Sequence, residues 1–144
     1  RARGHAHRSE LFLLEKSKAS EALAAEFSVT ANTYLYHSVM LHFENDEPIQ
    51  VEERWVNPSV APEYLQQDFS RTTPNEYLLE NVPLQSGEYT VEALPAPEAI
   101  AEMLHIKKHE ACLVLQRKTL SMNQVATLVT MWHPGARYQF SGKI

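Results

Sequence analysis

The sequence predicts an α+β domain built on a largely antiparallel sheet with helices packed on it. Two alternating runs of apolar and polar residues flank the short polar turn ENDEP, and a second such pair flanks Met122 and Asn123, so hairpins dominate. The helical stretches between strands are too few for the repeated crossovers of a parallel sheet. With 144 residues the chain is long enough for one core and short for two.

Residues 9 to 17, SELFLLEKS, form the first expected strand. The Ala-rich KASEALAAEFSV follows, with Leu23 and Phe27 four apart on one helical face and Ser20 placed to cap its start. From Thr33 to Phe43 the chain alternates: Leu35, Val39 and Leu41 share one face, and Tyr36, Ser38, Met40 and His42 share the other. Past the turn, IQVEERWV sets Val51, Glu53 and Trp55 on one face and Gln50, Glu52, Arg54 and Val56 on the other, and Asn57-Pro58 ends the strand. The proline-bearing stretch VAPEYLQQDFSRTTPNEYLLENVPL interrupts the sheet with short helical patterns, the better one opening on Thr73 as N-cap and Pro74 at the first helical position. EYTVEALP is strand-like, PEAIAEMLHI is a short amphipathic helix from Pro97, and CLVLQRKTLS with QVATLVTMWH makes the later hairpin. Arg137 to Phe140 is expected to add a last edge strand. The order is therefore β-α-β-β-α-α-β-α-β-β.

Composition narrows the function. Thirteen basic against 18 acidic residues leave a net charge of −5, so the chain lacks the positive field that draws proteins to phosphate backbones and is not expected to bind nucleic acid by itself. The 44% hydrophobic and 22% charged fractions are those of a soluble globular domain. No apolar run approaches the roughly 20 residues that cross a bilayer. A lone Cys112 within ACLVLQ cannot form an internal disulfide, and the start RARG has no signal-peptide character, so the cytoplasm is the expected location. The polar, partly basic RARGHAHR reads as the end of a linker cut from a longer polypeptide.

Few residues invite chemistry. His5-x-His7 and His105-x-x-x-His109 have nominal ligand spacings, but the first pair falls in the expected linker and the second straddles a helix end, so no metal is expected. Cys112 lies mid-strand among apolar residues and reads as packing. There is no GxSxG, and four glycines are too few for a backbone phosphate cradle, so no nucleotide or other cofactor is expected. Glu52 and Glu53 point to opposite faces and cannot work as a paired acid and base. Glu52 and Arg54 share a face and admit two readings. One is a surface ion pair, worth about 0 to 1 kcal/mol; the other is the floor of a half-buried polar pocket. The facing strand offers Tyr36, Ser38, Met40 and His42, a mixture closer to a ligand cleft than to a lysine-rich solvent face. Arg117, Thr119, Thr127 and His133 on the later hairpin would extend the same surface.

The ordered set HSVMLHFENDEPIQVEERWVNP, APEYLQQDFSRTTPNEYLL, CLVLQRKT and MWHPGARYQFSG resembles the UTRA effector domain of GntR-superfamily, HutC-type transcription regulators. The resemblance covers nearly the whole chain, with residues 9–144 as effector domain and residues 1–8 as the end of a linker that follows a winged helix-turn-helix. It implies a chorismate-lyase-like fold, a homodimer, a small-molecule effector and no catalysis, with DNA contacted only through the missing N-terminal domain. In sugar-phosphate-sensing relatives the effector contacts fall, by spacing, on Met40, His42, Glu52, Thr73, Thr127 and His133 of this sequence. The two usually basic positions hold Met40 and His42 and the late acidic position holds Thr127, a set unsuited to a doubly charged phosphate. For the histidine-utilisation branch the resemblance implies urocanate or a related imidazole carboxylate. Arg54 would then clamp the carboxylate, Glu52 or Thr127 would accept from the ring N–H, and Tyr36 and Met40 would form walls. A chorismate-lyase-type enzyme acting on a small anion is the alternative, because the fold is shared.

Overall fold

The structure is a computed structural model that describes residues 7–144. Its strands are β1 His7–Lys18, β2 Tyr34–Glu44, β3 Glu47–Val56, β4 Ser86–Pro95, β5 Ala111–Ser121 and β6 Gln124–Pro134; its helices are α1 Glu21–Phe27, α2 Pro74–Asn81 and α3 Glu98–Leu104, with a 3-10 turn at Tyr64–Gln66. The strands form one six-stranded sheet in the order β1-β2-β3-β6-β5-β4. Every neighbouring pair is antiparallel, as the hairpin pattern requires. The first strand starts at His7, inside the segment expected to be linker; the rest of that segment lies outside the described residues.

Local chemistry sets the boundaries. Asn45 and Asp46 take φ of 50° and 64°, and Met122 and Asn123 take 52° and 64°, the paired left-handed conformations that let a two-residue turn follow the twist of its strands. Ser20 caps α1 by accepting from the Leu23 N–H at 3.2 Å. Thr73 and Glu76 form a reciprocal capping box at the start of α2, with Pro74 at the first helical position. Pro97 is the cap residue of α3, which begins at Glu98.

The sheet has two covered faces. α1 and α3 lie on one, where Phe27 packs with Leu35 and Leu128, and Leu104 packs with Leu41, Val51 and Val114. The irregular stretch from Asn57 to Leu84 covers part of the other through Tyr64, Phe69, Leu78 and Val82, set against Met40 and Val56. On this second face the register builds cross-strand rows: Ser38 lies opposite Arg54, Arg54 opposite Val129, and Val129 opposite Arg117. One row further along run Met40, Glu52 and Met131.

Residues 137–140 are not a strand. They follow β6, an interior strand whose two sides are already taken by β3 and β5, so no edge is open to them there. The chain turns instead at Gly135, where a Cβ would stand 2.9 Å from the Ala111 carbonyl oxygen. Arg137 then reaches back, donating to the Pro48 carbonyl and, at 3.1 Å, to the Leu104 carbonyl at the end of α3. This draws Tyr138 and Phe140 onto the His133 ring, with centroids 4.1 Å and 5.4 Å away.

Candidate functional site

An open hollow of about 440 Å³ lies on the second face, beyond the edge of the covering stretch. Its floor is Glu52, Arg54, Arg117 and Met131 on the sheet, and α2 presents Thr73 and Asn75 from above. His7, His42, Glu44, Ile49 and Gln50 line it toward the β2–β3 turn, and Tyr138 closes it from the tail. A smaller hollow of about 220 Å³ shares Arg54, Asn75 and Arg117 and continues toward Leu78, Thr119 and Thr127.

Glu52 organises the floor. One carboxylate oxygen accepts from His42 Nε2 at 3.0 Å and the other from Arg54 Nε at 3.1 Å. Burial alone would push this carboxyl up, but the Arg54 charge and the His42 hydrogen bond outweigh it and hold the group down at about 2. Glu52 is therefore ionised at neutral pH, can only accept, and fixes the His42 proton on Nε2. Glu52 and Arg54 are 4% and 3% exposed, which excludes the surface-ion-pair reading.

Arg54 is anchored through Nε alone. Among the described residues its two Nη groups hold no hydrogen bond, and the side chain lines both hollows. Behind it, Ser38 Oγ and Tyr64 OH meet at 2.8 Å, and burial pushes the Tyr64 phenol up to about 12. Arg117 donates to Asn75 Oδ1 at 3.3 Å, while its own burial and the charge of Arg54 lower its pKa from the ordinary guanidinium value. The floor thus sets two guanidiniums against one carboxylate, an arrangement that an added anion stabilises.

Of the residues singled out from the sequence, Arg54, Glu52, His42, Thr73 and Arg117 line the larger hollow. Thr127 lines the smaller one, its hydroxyl 2.6 Å from that of Thr119. Met40 is fully buried beneath Tyr64, and Tyr36 stacks on Tyr64 and donates to the Pro62 carbonyl at 3.0 Å, so neither lines a hollow. Ser38 is committed to Tyr64 in the same way. His133 sits one layer behind Gln50, accepting from its amide at 3.0 Å on Nε2 and donating from Nδ1 to the Leu113 carbonyl; burial lowers its pKa, keeping it neutral. The apolar and aromatic walls are instead Met131, Ile49 and Tyr138, which the sequence reading missed along with His7 and Asn75. HPGARY held the signal for Tyr138: a glycine turn straight after His133 returns the chain to the same end of the sheet.

Elsewhere, His105 and His109 both hold left-handed backbone at the end of α3 and in the turn after it. Among the described residues no group of three His, Cys, Asp or Glu side chains converges as a metal site; His5 lies outside them. No helix among them is long and apolar enough to cross a membrane.

The sequence matches the UTRA domain over residues 2–139. This chain belongs to the UTRA family. Among curated relatives, it is 42% identical over 142 residues to the histidine utilization repressor of Klebsiella aerogenes and 41% identical to that of Pseudomonas aeruginosa, in each case across 99% of this chain. It spans only 59% and 57% of the length of those relatives. The crystal structure of the C-terminal domain of histidine utilization repressor from Pseudomonas syringae pv. tomato superposes with a TM-score of 0.93 at 37% identity, covering 96% of this chain and 99% of that one. The effector domain of PhnF from Mycobacterium smegmatis superposes at 0.88 with 12% identity, covering 99% of this chain and 90% of that one, a likeness of fold. The UTRA domain described here therefore carries its hollow on a scaffold shared with transcriptional regulators.

Proposed function

We propose that this UTRA domain is the ligand-sensing part of a transcriptional repressor of histidine utilisation and that it binds urocanate or a closely related imidazole carboxylate. The observation that carries the reading is Arg54, a buried guanidinium held by Glu52 through Nε, which lines the hollow with Arg117 beside it. A planar fork offered in this way matches a carboxylate with two parallel N–H···O bonds. The ligand's imidazole then lies toward His42 and Glu52, whose ionised carboxylate can accept from a ring N–H, between Met131 and Tyr138. Similarity to repressors of histidine utilization supports the choice of ligand class. The domain is not an enzyme in this reading, which similarity to proteins named repressors supports. DNA is contacted by a domain beyond this chain, the protein works as a cytoplasmic homodimer, and ligand occupancy is relayed between the two parts.

Calorimetry with ultraviolet absorbance tests the binding and the absence of chemistry together. A small planar acid offers roughly 4 to 8 kcal/mol, hence a micromolar to millimolar Kd, and its absorbance should stay constant. No heat and no thermal shift at millimolar urocanate would remove this ligand; its consumption would return the chorismate-lyase-type alternative. Sedimentation should give twice the 16.4 kDa of the chain, and a strictly monomeric profile would count against the dimer.

A further inference from the structure

We infer that His7 is an effector-contacting residue and that it carries the filling of the pocket to the start of β1. This rests on the reading of the hollow as the urocanate site. His7 is the first described residue of β1, yet its ring lies inside the site: Nε2 is 3.1 Å from His42 Nδ1, the two rings stack with centroids 5.3 Å apart, and both line the hollow. Glu52 can only accept, so His42 donates to it from Nε2–H. His42 Nδ1 and His7 Nε2 then share one proton between them across the stacked pair. A continuous line of contacts thus runs from the entry of β1 through His7, His42 and Glu52 to Arg54.

The start of β1 has a second attachment that the ligand does not touch. Arg8 donates to Asp46 at 2.9 Å and to Glu10 at 2.8 Å, and its guanidinium lies 3.9 Å from the centroid of the Phe43 ring. None of these residues lines the hollow. β1 is also an edge strand, paired among the described residues with β2. A planar ligand whose ring enters between His42 and the opposite wall meets the His7 imidazole, changing its hydrogen bond and stacking while Arg8 stays in place.

The test uses this chain. Wild type, His7→Ala, His7→Gln and Arg8→Ala are titrated with urocanate, and amide hydrogen exchange at Arg8 and Ser9 is followed with and without it. Removal of the ring that meets the ligand should weaken His7→Ala roughly 3-fold to 10-fold. His7→Gln keeps an N–H donor and should recover part of the loss, and Arg8→Ala should stay within about twofold. Urocanate should alter exchange at the two amides in wild type and Arg8→Ala but not in His7→Ala. If His7→Ala binds within about twofold of wild type, or if Arg8→Ala loses as much as His7→Ala, the contact is overturned while the urocanate site stands. Absence of binding to the wild type would instead overturn the proposed ligand, and this contact with it.

Discussion

Arg54 Nε donates to Glu52 Oε2 at 3.1 Å across two positions of one strand, with both side chains almost wholly inside the protein. The bond uses Nε, which leaves the two Nη groups for a ligand. Arg54→Ala removes charge-assisted bonds worth about 1.5 to 3 kcal/mol and should weaken urocanate roughly 10-fold to 150-fold. Arg54→Lys should regain only part, since an ammonium keeps the charge without the fork. The same mutation strips Glu52 of its cation, and breaking a buried pair costs about 3 to 5 kcal/mol, so melting temperature and affinity must be read on one sample. A folded Arg54→Ala protein with wild-type affinity would sink the clamp and move the carboxylate to Arg117.

Acid should expose the same pair. The Glu52 carboxyl is held at about 2 in the folded protein against an ordinary 4.5, so between these values the unfolded chain binds more protons than the native one. The stability it contributes is therefore complete above pH 4.5 and is lost as pH falls toward 2. Urea midpoints across this window should fall steeply in wild type and less steeply in Glu52→Gln, even though that variant starts from a lower value. Equal slopes would show that Glu52 is not held ionised.

Thr73 closes the α2 capping box and lines the hollow. Thr73→Ala should cost about 0.5 to 2 kcal/mol in denaturant unfolding, whereas Thr73→Ser keeps an oxygen for the Glu76 N–H and should sit close to wild type. If serine fares as badly as alanine, the cap is not what Thr73 supplies.

Tyr138 lies flat on His133 at 4.1 Å and faces the hollow from a segment without regular structure. Tyr138→Ala should weaken urocanate roughly 3-fold to 10-fold, the range expected for one aromatic contact, with little change in melting temperature. An unchanged titration would take the tail out of the site.

Much of this was legible in the sequence because it is local. Strict alternation fixed which residues of β2 and β3 share a face, Asn45 and Asp46 marked the tight turn, and Thr73-Pro74 announced α2. Alternation does not say what lies above a face. The cover comes from the stretch between Asn57 and Leu84, whose prolines and short turns have no period to read, and its Tyr64 settles on Met40 and Tyr36 but stops short of His42. That one placement separates the packed part of the face from the hollow, and it drew two expected walls, Met40 and Tyr36, into packing against Tyr64. RYQF alternates as a strand should, but strand formation needs a free neighbour, and the sheet order that denies one arises from pairing between distant segments.

The juxtaposition of β3 and β6 has a kinetic meaning. Each hairpin can zip from its own turn in about 1 to 10 μs, because its partners are neighbours in sequence. Glu52 and Arg54 belong to one hairpin and Arg117 and Met131 to the other, so neither hairpin alone possesses the site. It comes into being only when Val51 meets Trp132 and Val56 meets Thr127, closing a long loop at a high entropic cost. The guanidiniums of Arg54 and Arg117, which repel each other, are forced together in that same step. An anion present during refolding would relieve this repulsion where the two hairpins dock, so the domain's ligand would also act on the slow step of its assembly.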